Sequence, residues 1–221
     1  MIRLPFSDRT EAGQLLAEEL LRRKLPKDTL VLALPRGGVP VGLAVAKALG
    51  APLDVVIVRK LGVPGQPELA MGSIADGAAP VLDAQLIQEL GVAPEDIEAL
   101  AAKEREEIRR REKRYCGGRP APTIRGRAVI IVDDGLATGS TMASAARYVA
   151  TLKPGKLIAA VPVGSVQACN WIGNQVEECI CLATPEPFTA VGEWYSDFSQ
   201  VSDAEVQRLL ALANPKLAKH L

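Results

Sequence analysis

Short, wholly apolar runs alternate along this chain with longer segments whose apolar positions recur every three to four residues. The first pattern belongs to strands buried on both faces, the second to helices with one buried side. Residues 8–24 read as an amphipathic helix, with Asp8 and Glu11 at capping-box spacing ahead of LLAEELLRR. TLVLALP (29–35) reads as a buried strand that breaks at Pro35-Arg36-Gly37-Gly38, after which Pro40 can start a helix through VGLAVAKALG. LDVVIVRK (53–60) is a second strand, and the Gly- and Pro-rich stretch 61–80 is long enough to predict a mobile lid. Residues 83–114 read as helical and end in the charge-dense KEREEIRRREKR. Three further strands are expected at VIIV (129–132), KLIAAVPVG (156–164) and VEECICLA (176–183), with TMASAARYVATL and a short segment at 165–175 as the intervening helices.

This alternation predicts an α/β fold: an open, mainly parallel five-stranded sheet flanked by helices. Right-handed crossovers place strand 53–58 on one side of strand 30–34, and strand 128–132 on the other. The gap between strands 30–34 and 128–132 is then the switch point, where ligands of open parallel sheets bind. The loops leaving those two strands are PRGG and DDGLATGST, so both glycine-rich loops should face one crevice.

Composition narrows the chemistry. Formal net charge is zero, so there is no global electrostatic case for nucleic acid or an anionic membrane. The N-terminal stretch lacks a signal-peptide core and no run approaches a membrane span, which points to the cytoplasm. Cys116, Cys169, Cys179 and Cys181 have no CxxC pair or zinc spacing and read as free thiols. His220 is the only histidine and is next to last in the chain, which argues against His-based triads and His-ligated metals. The helix segment 103–114 carries seven basic and four acidic residues, interleaved as on a solvated or interhelical salt-bridge face, with RNA contact as the alternative.

The candidate chemistry sits in VIIVDDGLATGST, residues 129–141. Two adjacent carboxylates, Asp133 and Asp134, end a buried strand; Gly135, Ala137, Thr138, Gly139, Ser140 and Thr141 follow, and a helix begins. Carboxylates accept from vicinal hydroxyls, and unhindered N–H groups at a helix start hold a phosphate. The pattern suits a sugar phosphate. No lysine follows Gly139, so it is not a Walker A loop, and it is not a GxGxxG fingerprint.

This motif resembles that of the type I phosphoribosyltransferases, which use 5-phosphoribosyl 1-diphosphate. With LPRGGVPVG, VRKLGVPGQPELAMGSIADG and FTAVGEWYSDF, the chain is similar over nearly its whole length to a bacterial family of predicted phosphoribosyltransferases of undefined acceptor. The resemblance implies that Asp133 and Asp134 hold the ribose 2- and 3-hydroxyls and, indirectly, Mg2+. It implies that Ala137, Thr138, Gly139, Ser140 and Thr141 cradle the 5-phosphate.

PRGG falls at the family's diphosphate loop. Gly37 and Gly38 would leave amides open to an anion, Arg36 would fork onto phosphate oxygens, and a non-proline cis peptide is expected at Arg36–Gly37. Arg59 and Lys60 would neutralise the departing diphosphate, and Glu68, in the lid, is the candidate acceptor of the substrate's proton. A core at 1–183, with the lid at 61–80 and a helical insertion at 83–115, would be followed at 184–221 by a hood and terminal helix, all in one structural domain.

Four of the eight aromatics lie at 188–198, where Phe188 and Trp194 could stack on a flat acceptor or simply pack the hood. Ala137 and VPVGS lack the aspartate and lysine that hypoxanthine–guanine enzymes carry at the matching places, which argues against a 6-oxopurine. The expected activity is magnesium-dependent phosphoribosyl transfer to a nitrogenous, nucleobase-like acceptor. A phosphoribosyl diphosphate-sensing regulator and a nucleotide phosphorylase or hydrolase stay open as alternatives. A homodimer is compatible with this reading, and neither a membrane nor nucleic acid is an expected partner.

Overall fold

LVLA and AVIIV, runs of Val, Ile, Leu and Ala with no polar alternation, are buried on both faces and lie side by side within a five-stranded sheet. The computed structural model describes residues 2–75, 78–117 and 121–214, with only the backbone of Pro67 and Glu68. The strands are β1 (Leu30–Ala33), β2 (Leu53–Val55), β6 (Ala128–Val132), β7 (Lys156–Val163) and β8 (Glu178–Ala183), in the order β2-β1-β6-β7-β8. Every pairing in this sheet is parallel, and Leu30 to Ala33 pair in register with Val129 to Val132. The switch point therefore lies between β1 and β6, as the crossover argument requires.

One face of the sheet buries Val31, Ala33, Ile130, Val132, Ile158 and Ala160 with α1 (Arg9–Leu21), α2 (Gly38–Leu49) and α7 (Asp203–Ala213). The other buries Leu32, Val129, Ile131 and Val161 against α5 (Ser140–Thr151) and α6 (Val166–Gly173). Asp8 caps α1, its Oδ1 accepting from the N–H groups of Thr10 and Glu11 at 2.7 and 2.8 Å.

Two expectations change. The apolar run 53–60 is not one strand: Val56 and Ile57 end the pairing with β1, and β3 (Val58–Val63) leaves the main sheet. The expected mobile lid at 61–80 is, over its described part, an antiparallel sheet of β3, β4 (Gln66–Ala75) and β5 (Val81–Leu82). Leu61, Met71 and Ile74 are its buried anchors, with Ala101 and Ile108 of a helix in the same core. That helix is α4 (Pro94–Cys116). The segment read as helical over 83–114 consists of two helices, α3 (Ala84–Leu90), ended by Gly91, and α4, which Pro94 starts at its first position. Among the described residues, no helix is long and apolar enough to cross a membrane. His220 lies outside the described residues.

Candidate functional site

The site is built where β1 and β6 end side by side. β6 delivers Asp133 and Asp134, and the PRGG turn after β1 leads into α2 directly against them. An added Cβ at Gly37 would sit 2.0 Å from Asp134 Oδ2, and one at Gly38 would sit 2.6 Å from the Val132 carbonyl oxygen. Glycine is needed here for room. Gly37 has ordinary helical torsions, and the Gly38 N–H donates to the Leu34 carbonyl at 3.0 Å, so it is not an amide left open to an anion. The non-proline cis peptide is at Pro35–Arg36, one bond before the expected Arg36–Gly37.

The loop after the acids is shaped for a small anion. Gly139 has φ 78°, a left-handed conformation that disfavours a side chain, and Ser140 opens α5. Thr138 Oγ1 and Ser140 Oγ lie 3.1 Å apart at that helix start. Among the described residues, the N–H groups of Ala137, Thr138 and Gly139 have no partner. The loop is pinned from behind: Leu136 N–H donates to the Val163 carbonyl at 2.9 Å, and Ser165 Oγ donates to the Ala137 carbonyl at 2.9 Å. Beside this prop three thiols meet, where hydrogen bonds from Cys179 and Cys181 push the Cys169 thiol down.

The two acids have different surroundings. Asp134 Oδ2 accepts from Arg9 Nε at 2.8 Å, and the Asp134 carbonyl accepts from Tyr195 Oη at 2.6 Å. Asp133 Oδ1 accepts from the Asp134 N–H at 2.9 Å. Burial, then the neighbouring Asp134 charge, push the Asp133 carboxyl well above the usual carboxylate range. A partly buried acid pair that is short of positive charge is a fitting place for a ligand that brings hydroxyl donors or a cation.

A cleft of about 1000 Å³ opens from this loop toward the hairpin and α4. Thr138, Ser140 and Thr141 form one wall, with Pro35 at one end; Arg59, Lys60 and Gly62 of β3 and Lys103, Glu104 and Arg111 of α4 face them. Arg59 Nε is held by Glu104 Oε2 at 2.6 Å. The charged helix is therefore a cleft wall as well as a salt-bridge face. Arg36 turns elsewhere: its Nη1 is 3.9 Å from Asp203 Oδ1, beside the Tyr115 hydroxyl and Arg114.

The hood reaches the acids from the other side. Val191 packs so closely on Gly135 that a Cβ there would lie 2.5 Å from its Cγ1. Phe188 and Trp194 stack loosely with centroids 6.1 Å apart, half-buried against Phe6 and Val163; they do not line the cleft. Trp194 Nε1 is buried and has no hydrogen-bond partner among the described residues. The Glu68 side chain lies outside the described residues. Sequence reasoning missed Arg9, Lys103 and Arg111, whose approach to the site is purely tertiary. Ser165 was missed as well, although a serine just ahead of a helix start, here capping the Ala168 N–H, is a signal that could have found it.

The pattern of the phosphoribosyl transferase domain family matches residues 10–170. A Mycobacterium tuberculosis protein named as a "putative phosphoribosyl transferase" is 42% identical over 214 residues, 97% of this chain and 48% of its own length. The chain thus spans about half the length of the curated relatives it matches. The crystal structure of TT1426 from Thermus thermophilus is 41% identical, with TM-score 0.86 over 94% of this chain and 98% of that one. AQ2163 from Aquifex aeolicus, at 13% identity and TM-score 0.51, covers 83% of this chain and 78% of its own, and shares the fold.

Proposed function

The chain belongs to the phosphoribosyl transferase domain family, and on that premise we propose that it moves a 5-phosphoribosyl group from phosphoribosyl diphosphate to a nitrogenous, nucleobase-like acceptor, releasing diphosphate. The observation that carries this reading is the meeting of two loops at one switch point. An acid pair is pressed against Gly37, and a small-residue loop with free N–H groups follows it. Asp133 and Asp134 accept from the ribose hydroxyls, while Ala137 to Thr141 hold the 5-phosphate at the start of α5.

Arg59 and Lys60 line the cleft across from that loop, where a departing diphosphate gains most from positive charge. The β3–β4 hairpin and α4 line the cleft across from that loop, the place from which water would have to be kept off an oxocarbenium-like carbon. Magnesium suits the same place: Asp133 and Asp134 would hold it through ribose and diphosphate oxygens, and bound there it would share the charge of the leaving group. Arg36 belongs to the diphosphate loop in this reading, with Asp203 beside its side chain.

Incubation with magnesium and phosphoribosyl diphosphate, with and without a nucleobase library, tests the proposal. Acceptor-dependent diphosphate release is expected. Acceptor-independent release would make the protein a hydrolase, and tight binding without turnover would make it a sensor. A double variant Asp133→Asn/Asp134→Asn that binds phosphoribosyl diphosphate as tightly as the native chain would overturn the assignment of the acid pair.

A further inference from the structure

Arg9 is the first residue of α1, placed by the Asp8 cap, and its side chain makes three contacts at once. Nε donates to Asp134 Oδ2 at 2.8 Å, Nη1 donates to the Ser199 carbonyl at 2.8 Å, and the guanidinium lies 3.9 Å from the Phe198 ring centre. Both charged partners are largely removed from solvent, with side-chain exposures of 11% for Arg9 and 14% for Asp134. Arg9, Phe198 and Ser199 all fall outside residues 10–170, the span that matches the domain family.

Two explanations compete. One is that Arg9 only fastens the hood, but the hood is already fastened: Phe6 N–H donates to the Trp194 carbonyl, Ser196 N–H to the Phe6 carbonyl and Asp197 N–H to the Ser7 carbonyl, at 2.9, 2.7 and 2.9 Å. A largely desolvated ion pair also adds little net stability over an apolar replacement, because desolvation offsets the attraction. What the pair does supply is orientation. With Oδ2 tied to Arg9 and the main-chain carbonyl tied to Tyr195, Asp134 keeps Oδ1 for a ligand.

We infer that Arg9 is a positioning residue: it fixes Asp134 so that this carboxylate can select a ribose bearing both hydroxyls. The inference rests on the phosphoribosyl reading above. The groups that face Asp134 are Arg9 from α1, Asp133 beside it, Gly37 from the PRGG turn and Tyr195 from the hood.

The test is calorimetric titration of the native chain, Arg9→Met and Arg9→Lys with four magnesium-containing ligands: phosphoribosyl diphosphate, ribose 5-phosphate, 2-deoxyribose 5-phosphate and inorganic diphosphate. Circular dichroism melts confirm that each variant is folded. Arg9→Met should weaken the two ribosyl ligands about tenfold, the scale of one charge-assisted hydrogen bond, and shrink the preference for ribose over deoxyribose toward unity. Diphosphate affinity should stay within about twofold, and Arg9→Lys should recover part of the ribose preference. Unchanged ribose preference in Arg9→Met overturns the inference, and so does an equal loss for all four ligands, which marks a merely structural clamp. Failure of the native chain to bind phosphoribosyl diphosphate would instead sink the donor assignment itself, and the Arg9 inference with it.

Discussion

Replacing Gly37 by alanine adds one methyl group at the tightest point of the site. The new Cβ would lie 2.0 Å from Asp134 Oδ2 and 2.6 Å from its Cγ. Ordinary carbon contacts start near ~3.5 Å, so the overlap is about 1.5 Å. A carboxylate at the end of a free side chain could swing away at small cost. Asp134 is not free: Arg9 holds its Oδ2 and Tyr195 holds its carbonyl. Either the carboxylate leaves Arg9, forfeiting a charge-assisted hydrogen bond, or the PRGG turn backs off from the acid pair.

Overpacking of this kind costs about 1–3 kcal/mol, and about 2–4 °C of melting temperature accompanies each kcal/mol in a chain of this size. Gly37→Ala should therefore melt several degrees lower and bind phosphoribosyl diphosphate at least tenfold more weakly. Gly38→Ala should be worse, because its Cβ would meet backbone atoms, the Val132 carbonyl at 2.6 Å and Asp133 Cα at 2.9 Å. Gly173→Ala is the control, since its nearest neighbour would be Cys179 Cβ at 3.9 Å. Differential scanning fluorimetry and ligand titration read all three. A Gly37→Ala protein with native melting temperature and native affinity would refute the close apposition of the two loops.

Other expectations follow from the electrostatics around the acid pair. The folded protein holds Asp133 above its ordinary pKa, so it favours the protonated form; that contribution is present at acid pH and lost as pH rises. Asp133→Asn should accordingly melt higher than the native chain at pH 7 while losing donor affinity, and a lower melting temperature would count against the reasoning. Tyr195→Phe removes the buried donor to the Asp134 carbonyl and should cost about 1–2 kcal/mol in urea unfolding, with no change expected in the slope. Glu107, Glu178 and Asp203 lie below their ordinary values, Glu107 at about 2, because of hydrogen bonds from Arg110, Arg23 and Tyr115 respectively. Their stabilisation is fully present above the ordinary carboxylate range and is lost as pH falls through about 4 toward 2. Melts of Asp133→Asn in low salt, where the opposing Asp133 contribution is gone, should hold level to roughly pH 5 and then fall, and a flat profile to pH 3 would contradict those pairings.

The five-stranded sheet was legible because its strands are contiguous apolar runs, and the acid-pair loop because its residues are neighbours in the chain. PRGG was legible as a loop, but the close fit of its glycines was not. Its glycines make room for Asp134 and Val132, a fact of distant packing that no local pattern encodes. The hairpin was hidden by the Gly- and Pro-rich composition of 61–80. Yet Pro64-Gly65 is a turn signal, and Gly65 has the φ of 80° that the second central position of a type II turn requires. Arg9 could not be found this way, because 125 residues separate it from Asp134. Nor could the wall of α4 be read from its charges, since interleaved signs look alike on a solvated helix and on one lining a cleft.

The adjacent acids, equivalent in the motif, are made unequal by the fold. Asp134 has its N–H on Asp133, its carbonyl on Tyr195 and one carboxylate oxygen on Arg9, so most of its bonding capacity is spent on being held in place. Asp133 receives one backbone donor, and the Arg9 charge is the weakest of the influences on it, behind burial and the repulsion of Asp134. A ligand that brings hydroxyl donors or a cation to Asp133 therefore competes with a proton for the same carboxylate. In that division Asp134 presents one fixed carboxylate oxygen, Asp133 supplies unmet charge, and Arg9 and Tyr195 supply the clamp. On the phosphoribosyl reading, donor recognition at the centre of the sheet would then depend on Arg9 and Tyr195, outside the two loops that announce it.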